Sequence, residues 1–411
     1  MKLTRRQFLK KGTGLLATLS FGGAVFGTDA DSLLFAESAV SKPAVKDPIL
    51  VVVQLSGGND GLNTLIPYGA GEYYDARPTL GYKQSQVLAI DNQLGFHPKL
   101  KEMHRLYKEG KMAIIQGVGY PNPNRSHFRS MDIWQTAEPE KQYISGWLGR
   151  YVDLSKLSTP LPAIQIGDKA NKALYTQRYD VPVIQSLGQF RVFNPKQASD
   201  DNGKLTQILK DIYNAPVKPE FLRVAAQRGK SAFIYAEAIE SMASKYQPQV
   251  TYPDSKFASR MQLIAKLISG KSGTRVYYAE LGGFDDHANE WQQHNRTLSD
   301  LDGSLSAFYK DLQAQQMNNN VVVMVFSEFG RRLRENSSGG TDHGTAAPVF
   351  VLGGNVKGGL YGAYPSLSKL DNGDLKYSVD FRSIYYTLID SWLKGDAQGT
   401  LFKSYEKIPF I

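Results

Sequence analysis

The stretch PILVVVQL, Pro48 to Leu55, is apolar on both alternating sets of positions from Ile49 to Val53. A strand with one wet face alternates polar and apolar residues, so an unbroken β-branched run points to a strand covered on both faces, as in a parallel sheet packed between helices. KMAIIQGV (Lys111 to Val118), TRVYYAEL (Thr274 to Leu281), NVVVMVFSEF (Asn320 to Phe329) and PVFVLGG (Pro348 to Gly354) repeat the signature. Helical patterns lie between them. One opens at Pro98 and runs to Glu109 with Leu100, Met103 and Leu106 on one face, a second spans about Glu290 to Gln315, and a third runs from Asp380 as N-cap to Leu393. Strands alternating with helices predict an α/β fold, a doubly wound and mostly parallel sheet flanked by helices.

Residues 155 to 270 read differently. Broken strand-like pieces, PAIQIG and VPVIQSL, precede helical spacing at Leu222, Ala225 and Ala226 and at Phe257, Met261, Ile264, Leu267 and Ile268. This segment is expected to be a helical insertion or cap on a domain covering 48–411. At 411 residues and 42% hydrophobic content the chain can bury a large core.

The amino terminus is read apart from the fold. Arg5 and Arg6, followed by Phe8, Leu9 and Lys10 and a modestly apolar run broken by Gly22, Gly23 and Gly27, have the form of a twin-arginine export signal over 1–36, with cleavage near Ala36. The run is too short and too interrupted for a stable transmembrane span. AESAVSKPAVK (Ala36 to Lys46) then reads as a linker over 37–47. The expected location is periplasmic or exported, with the twin-arginine translocon as a transient partner. That pathway carries folded proteins, so metal loading before export is compatible with it.

The chain has no cysteine, which excludes disulfides, thiolate metal sites and a cysteine nucleophile. Its net charge of +9 drops to about +6 without the first 36 residues, and no dense Lys/Arg run follows. Nucleic acid is therefore not an expected partner.

In an open parallel sheet, the loops after the carboxyl ends of the strands converge on one crevice. Asp60 follows the first strand in SGGNDGLN. Asp285, Asp286 and His287 follow another in GGFDDHAN, and Glu328, Arg331 and Arg332 a third in EFGRR. Asp342 and His343 sit just before PVFVLGG in GGTDHGTAAP. Oxygen and imidazole donors without thiolate suit a divalent ion such as Zn, Mn, Mg or Ca, which polarises a phosphoryl or sulfuryl oxygen. Each piece has a plainer reading, since Asn-Asp-Gly and Asp-His are also common in polar turns. A further segment, GYPNPNRSHFRSMDIW, puts Ser126 at a helix start beside Arg125, His127 and Arg129. Ser126 is either a nucleophile facing an anionic ester or simply an N-cap. His97 reads as a structural turn histidine, and His104 and His294 as solvated helix positions.

VVVQLSGGNDGLNTLIPY, NRSHFRSMDIWQT, GGFDDHANEWQQH, VVMVFSEFGRRLRENSSGGTDHG and VFVLGGNVKGGLYG, in this order after a twin-arginine start, resemble the exported bacterial proteins called DUF1501, within the alkaline phosphatase and sulfatase superfamily. The resemblance implies an alkaline phosphatase-like fold and a metal-dependent hydrolase or transferase of phosphate or sulfate esters. It further implies Asp60, Asp285, His287, Asp342 and His343 as metal ligands, with Glu328 a further ligand or support and Ser126 the nucleophile beside Arg125 and His127. Two departures stand against a full correspondence. PNPNR places Pro121 where a sulfatase carries its modified residue, and His343 is the last histidine, whereas phosphatases use a later one.

Two functions are therefore expected to compete. One is an exported metal-dependent hydrolase acting on a small anionic ester. The other is a catalytically inactive periplasmic binding or assembly protein that keeps the fold, whose 23 tyrosines would suit a glycan or protein partner. A nucleotide-dependent oxidoreductase is disfavoured, because SGGNDGLN is not a G-x-G-x-x-G turn.

Overall fold

The structure is a computed structural model and describes residues 48–186, 238–244, 246–271 and 273–411, with 211, 231 and 235. The signal over 1–36, the linker over 37–47 and the helix expected around Leu222, Ala225 and Ala226 lie outside the described residues.

The strands in chain order are β1 (Ile49–Ser56), β2 (Leu65–Ile66), β3 (Leu88–Ala89), β4 (Gly95–Phe96), β5 (Met112–Gly119), β6 (Ala163–Ile166) and β7 (Val183–Ile184). They continue with β8 (Val276–Gly282), β9 (Val321–Ser327), β10 (Arg331–Glu335), β11 (Thr341–His343), β12 (Ala347–Gly353), β13 (Gly359–Tyr361) and β14 (Val379–Asp380). A nine-stranded sheet runs in the order β13-β5-β12-β9-β1-β8-β6-β7, with β14 also on β5. β1 lies parallel to both β8 and β9. β12 alone runs antiparallel, against β5 on one side and β9 on the other. That reversal brings the start of β12 to the edge where β1, β8, β9 and β5 end, so a loop before β12 joins loops after the others.

The principal helices are α1 (Lys101–Lys108), α2 (His127–Thr136), α3 (Trp147–Leu154), α4 (Lys256–Ser269), α5 (Glu290–Ala314) and α6 (Phe381–Thr387). The two sides of β1 show why the run from Ile49 is apolar throughout. Val51, Val53 and Leu55 pack in one core with Met103, Leu106, Met261, Ile264, Leu301 and Leu305 of α1, α4 and α5. Leu50 and Val52 pack in the other with Ile133, Trp134, Trp147, Ile384 and Tyr385 of α2, α3 and α6. Each such side chain removed from water stabilises the fold by roughly 1.5–3 kcal/mol before entropy is counted. The doubly wound, mostly parallel sheet expected from the sequence is therefore what the chain forms.

Two expectations change. The segment 155–270 is not a separate cap throughout: β6 pairs with β8 and β7 with β6, so these pieces extend the main sheet, and α4 packs into its core. The first helix starts at Lys101 and not at Pro98, because Asp302 of α5 accepts hydrogen bonds from the N–H groups of Glu102 (3.1 Å) and Met103 (2.8 Å) and caps it from outside.

Candidate metal centre

β1 leaves the sheet through Gly57 and Gly58, both in the left-handed region at φ 122° and 75°. A Cβ on Gly57 would lie 2.4 Å from the backbone nitrogen of Asp285, and one on Gly58 would lie 2.3 Å from the Phe329 ring. The glycines thus let this loop pass directly against the loops after β8 and β9. Arg331, wholly buried at the start of β10, ties the loops together. Its guanidinium donates to the carbonyls of Gly58 (2.7 Å), Gly57 (2.5 Å), Phe284 (2.9 Å) and Thr341 (2.7 Å), and to Asp285 Oδ1 (2.7 Å).

Three imidazoles converge on the Asp285 carboxylate held this way. His343 Nε2 and His287 Nε2 each lie 3.1 Å from Oδ1, and His127 Nε2 lies 3.4 Å from Oδ2. The Nε2 atoms of His287 and His343 are 2.9 Å apart. One ligand atom from each of His127, Asp285 and His343 falls within 4.8 Å of the others. The second ring nitrogen of every histidine meets an oxygen: His127 Nδ1 meets Glu328 Oε1 (2.9 Å), His343 Nδ1 meets the Arg125 carbonyl (2.8 Å), and His287 Nδ1 faces Asp342 Oδ1 (3.4 Å). An oxygen on Nδ1 fixes the tautomer that leaves Nε2 free to ligate and orients the ring.

Ionisation follows from these contacts. The Glu328 hydrogen bond outweighs burial and raises the pKa of His127, whereas burial lowers that of His343. Burial opposes the charge on Asp285, yet Arg331 and His343 prevail and hold its carboxyl at about 2. His127 Nε2 is buried and makes no hydrogen bond, though it points at the cluster. That orphaned nitrogen, an ionised carboxylate and oxygen-anchored imidazoles fit a divalent cation of the zinc or manganese type.

The expected residues separate into three groups. His127, Asp285, His287 and His343 come together, with Glu328 and Asp342 behind two of the imidazoles. Ser126 stands exposed at the N-cap of α2, its side chain making no bond to the helix, between the Arg125 carbonyl and His127. Asp60 is turned away: it caps the short helix after β1 through Leu62 N–H (3.2 Å) and forms a buried two-pronged ion pair with Arg77, 3.0 Å from Nη2 to Oδ1. Burial disfavours its charge, but Arg77 holds the carboxyl far below the usual range. A carboxylate so neutralised is occupied as an ion-pair partner, which corrects its expected role as a ligand.

His294 is likewise corrected. It is buried, not solvated, with Nε2 3.1 Å from Asn59 Oδ1. His97 is a buried turn histidine bound to Tyr82 OH (2.7 Å) and to Lys99 N–H (3.1 Å). Sequence reasoning placed Arg331 in the right loop but missed its pinning role; the only signal was a basic residue directly after a strand-end glycine.

A family model described as "Protein of unknown function (DUF1501)" matches residues 47–391. The chain belongs to the DUF1501 family. No curated protein matches this DUF1501 chain. Among solved structures it is similar to a protein of the alkaline phosphatase superfamily from Vibrio parahaemolyticus, with 9% identity and TM-score 0.39, over 97% of this chain and 78% of that one. It is also similar to the C-terminal periplasmic domain of EcEptC from Escherichia coli in complex with Zn, with 10% identity and TM-score 0.38, over 89% and 91%. A TAB5 alkaline phosphatase mutant with Mg bound shares 13% identity with the DUF1501 chain at TM-score 0.39, over 86% and 100%.

Proposed function

We propose that this protein is an exported hydrolase of phosphate or sulfate esters that depends on a divalent metal held by His127, Asp285 and His343, with His287 beside them. The observation that carries the reading is the convergence of three Nε2 atoms on one ionised carboxylate, each ring anchored through Nδ1 by an oxygen. When bound, the cation acts as a Lewis acid on an ester oxygen and lowers the pKa of nearby water. The chain's own groups do the rest. Glu328, Asp342 and the Arg125 carbonyl orient the rings, Arg331 fixes Asp285, and the Arg125 guanidinium, part-exposed and paired with Asp374 at 3.3 Å, is the cation proposed to turn to an anionic ester. Ser126, next to His127 in the chain, is the group proposed to attack the phosphorus or sulfur: its oxygen forms the new ester bond as the bond to the substrate's alcohol oxygen breaks, its proton leaves with that alcohol, and water then hydrolyses the serine ester.

The test is elemental analysis of protein exported by its native pathway, followed by a phosphate and sulfate ester screen across Zn, Mn, Mg and Ca. Bound metal and turnover are expected, both lost in Asp285→Asn and His343→Ala, each of which should still unfold cooperatively with a melting curve close to that of chelator-treated wild type. Protein that holds no metal, and melts identically with chelator, overturns the reading. A second reading, an exported binding or assembly protein without catalysis, is favoured by the exposed position of Ser126, whose hydroxyl makes no capping hydrogen bond to the helix it precedes. Metal-dependent turnover lost in Ser126→Ala excludes it.

A further inference from the structure

Beside the cluster lies a shallow cavity, widely open to solvent, with about 360 Å³ of accessible space. Phe128, Met131, Asp132 and Gln135 line one wall, and their spacing of i, i+3, i+4 and i+7 puts them on a single face of α2. Gln54 and Ser56, alternate residues at the end of β1, form the floor, and His127 and Glu328 join the cavity to the metal centre. Phe128, at the cavity rim, is 92% exposed, the most exposed large apolar side chain among the described residues.

The lining decides what fits. It contains no lysine or arginine. The nearest cations, Arg129 and Lys172, are engaged on the two oxygens of Asp132, at 2.7 and 2.5 Å. An anionic group entering here meets carboxylates and no unpaired cation, so the charged end of an ester belongs at the cluster. The cavity offers instead an aromatic face, a thioether, two amides and a hydroxyl. Gln54 is held in place by Tyr278 OH (2.5 Å), Asn171 Nδ2 (3.0 Å) and Gln135 Nε2 (3.2 Å) on its oxygen, and by its own donation to Ser56 Oγ (2.6 Å). An exposed aromatic ring and amides lining one pocket suit a neutral ring with C–H groups on one face and hydroxyls on its edge.

We infer that this cavity binds a neutral sugar ring, which makes the substrate a carbohydrate carrying a phosphate or sulfate ester, with Phe128 stacked on the ring. The inference rests on the proposed hydrolase for the ester, but the sugar contacts are independent of metal. Saturation-transfer NMR on the intact protein in chelator, with glucose, galactose, N-acetylglucosamine and their β-1,4-linked dimers, tests it apart from catalysis. Transfer to at least one sugar is expected, falling about five- to tenfold in Phe128→Ala and retained in Phe128→Trp. Phe128 is too exposed for its loss to unfold the chain. Transfer that is absent from every sugar, that is undiminished in Phe128→Ala, or that appears only for an aryl probe such as p-nitrophenol overturns the inference, whatever the metal assays show.

Discussion

His127 meets Glu328 through one ring nitrogen and faces Asp285 through the other, so its two neighbours have different jobs. Removing the charge behind a ligating imidazole leaves the ligand set intact but loosens it, and Glu328→Gln is expected to weaken metal affinity about 10–100-fold in a chelator competition titration. Arg331 is a different case. Its five donated bonds satisfy four backbone carbonyls of three loops, and Arg331→Met is expected to destabilise the protein by about 3–5 kcal/mol in urea unfolding, with loss of metal binding. The types of the site residues were legible in the sequence, because aspartate and histidine beside strand-end glycines point to ligation without a structure. Their partners were not. Asp60 has the same local setting as Asp285, and each meets a buried arginine from another part of the chain, but Arg77 takes both oxygens of the buried Asp60 whereas Arg331 takes only Oδ1 of Asp285 and leaves Oδ2 facing His127.

α5 was read almost to the residue, since a long amphipathic pattern needs no outside information, whereas the start of α1 depends on a cap that α5 supplies. That cap titrates. Burial raises the Asp302 carboxyl from 3.8 to about 6 despite the two N–H groups it accepts. A carboxyl whose folded pKa lies above its unfolded one contributes stability that is complete below about pH 4 and disappears as pH climbs through about 6. The urea midpoint of the wild type is therefore expected to fall more between these values than that of Asp302→Asn, which keeps an oxygen acceptor and cannot ionise. On the sheet, Leu305→Ala in α5 removes a fully buried side chain from the face that covers β1 and is expected to cost about 2–5 kcal/mol. The buried strands could be found from their apolar runs, but not their directions. PVFVLGG reads like any parallel strand, and only its pairing shows β12 to be reversed.

Across the whole molecule, a ligand that binds only the folded state stabilises it by mass action. Free metal at about 100 times its dissociation constant is expected to add ~2.7 kcal/mol, so a melting curve recorded with and without chelator should separate by several degrees. The pairing of β1 bears on when that binding can begin. Leu50 pairs with Val276 and Ile49 with Val321, so the first strand to leave the ribosome finds its neighbours only after most of the chain has been made. Closing such long loops is slow, and the core cannot nucleate around its amino-terminal strand alone. Asp285 follows β8, His343 lies between β9 and β12, and His127 follows β5, so the three meet only when these strands share one sheet. The proposed centre is thus assembled only when these distant strands share one sheet, and an ion taken up there as the chain folds is set by the compartment in which folding occurs.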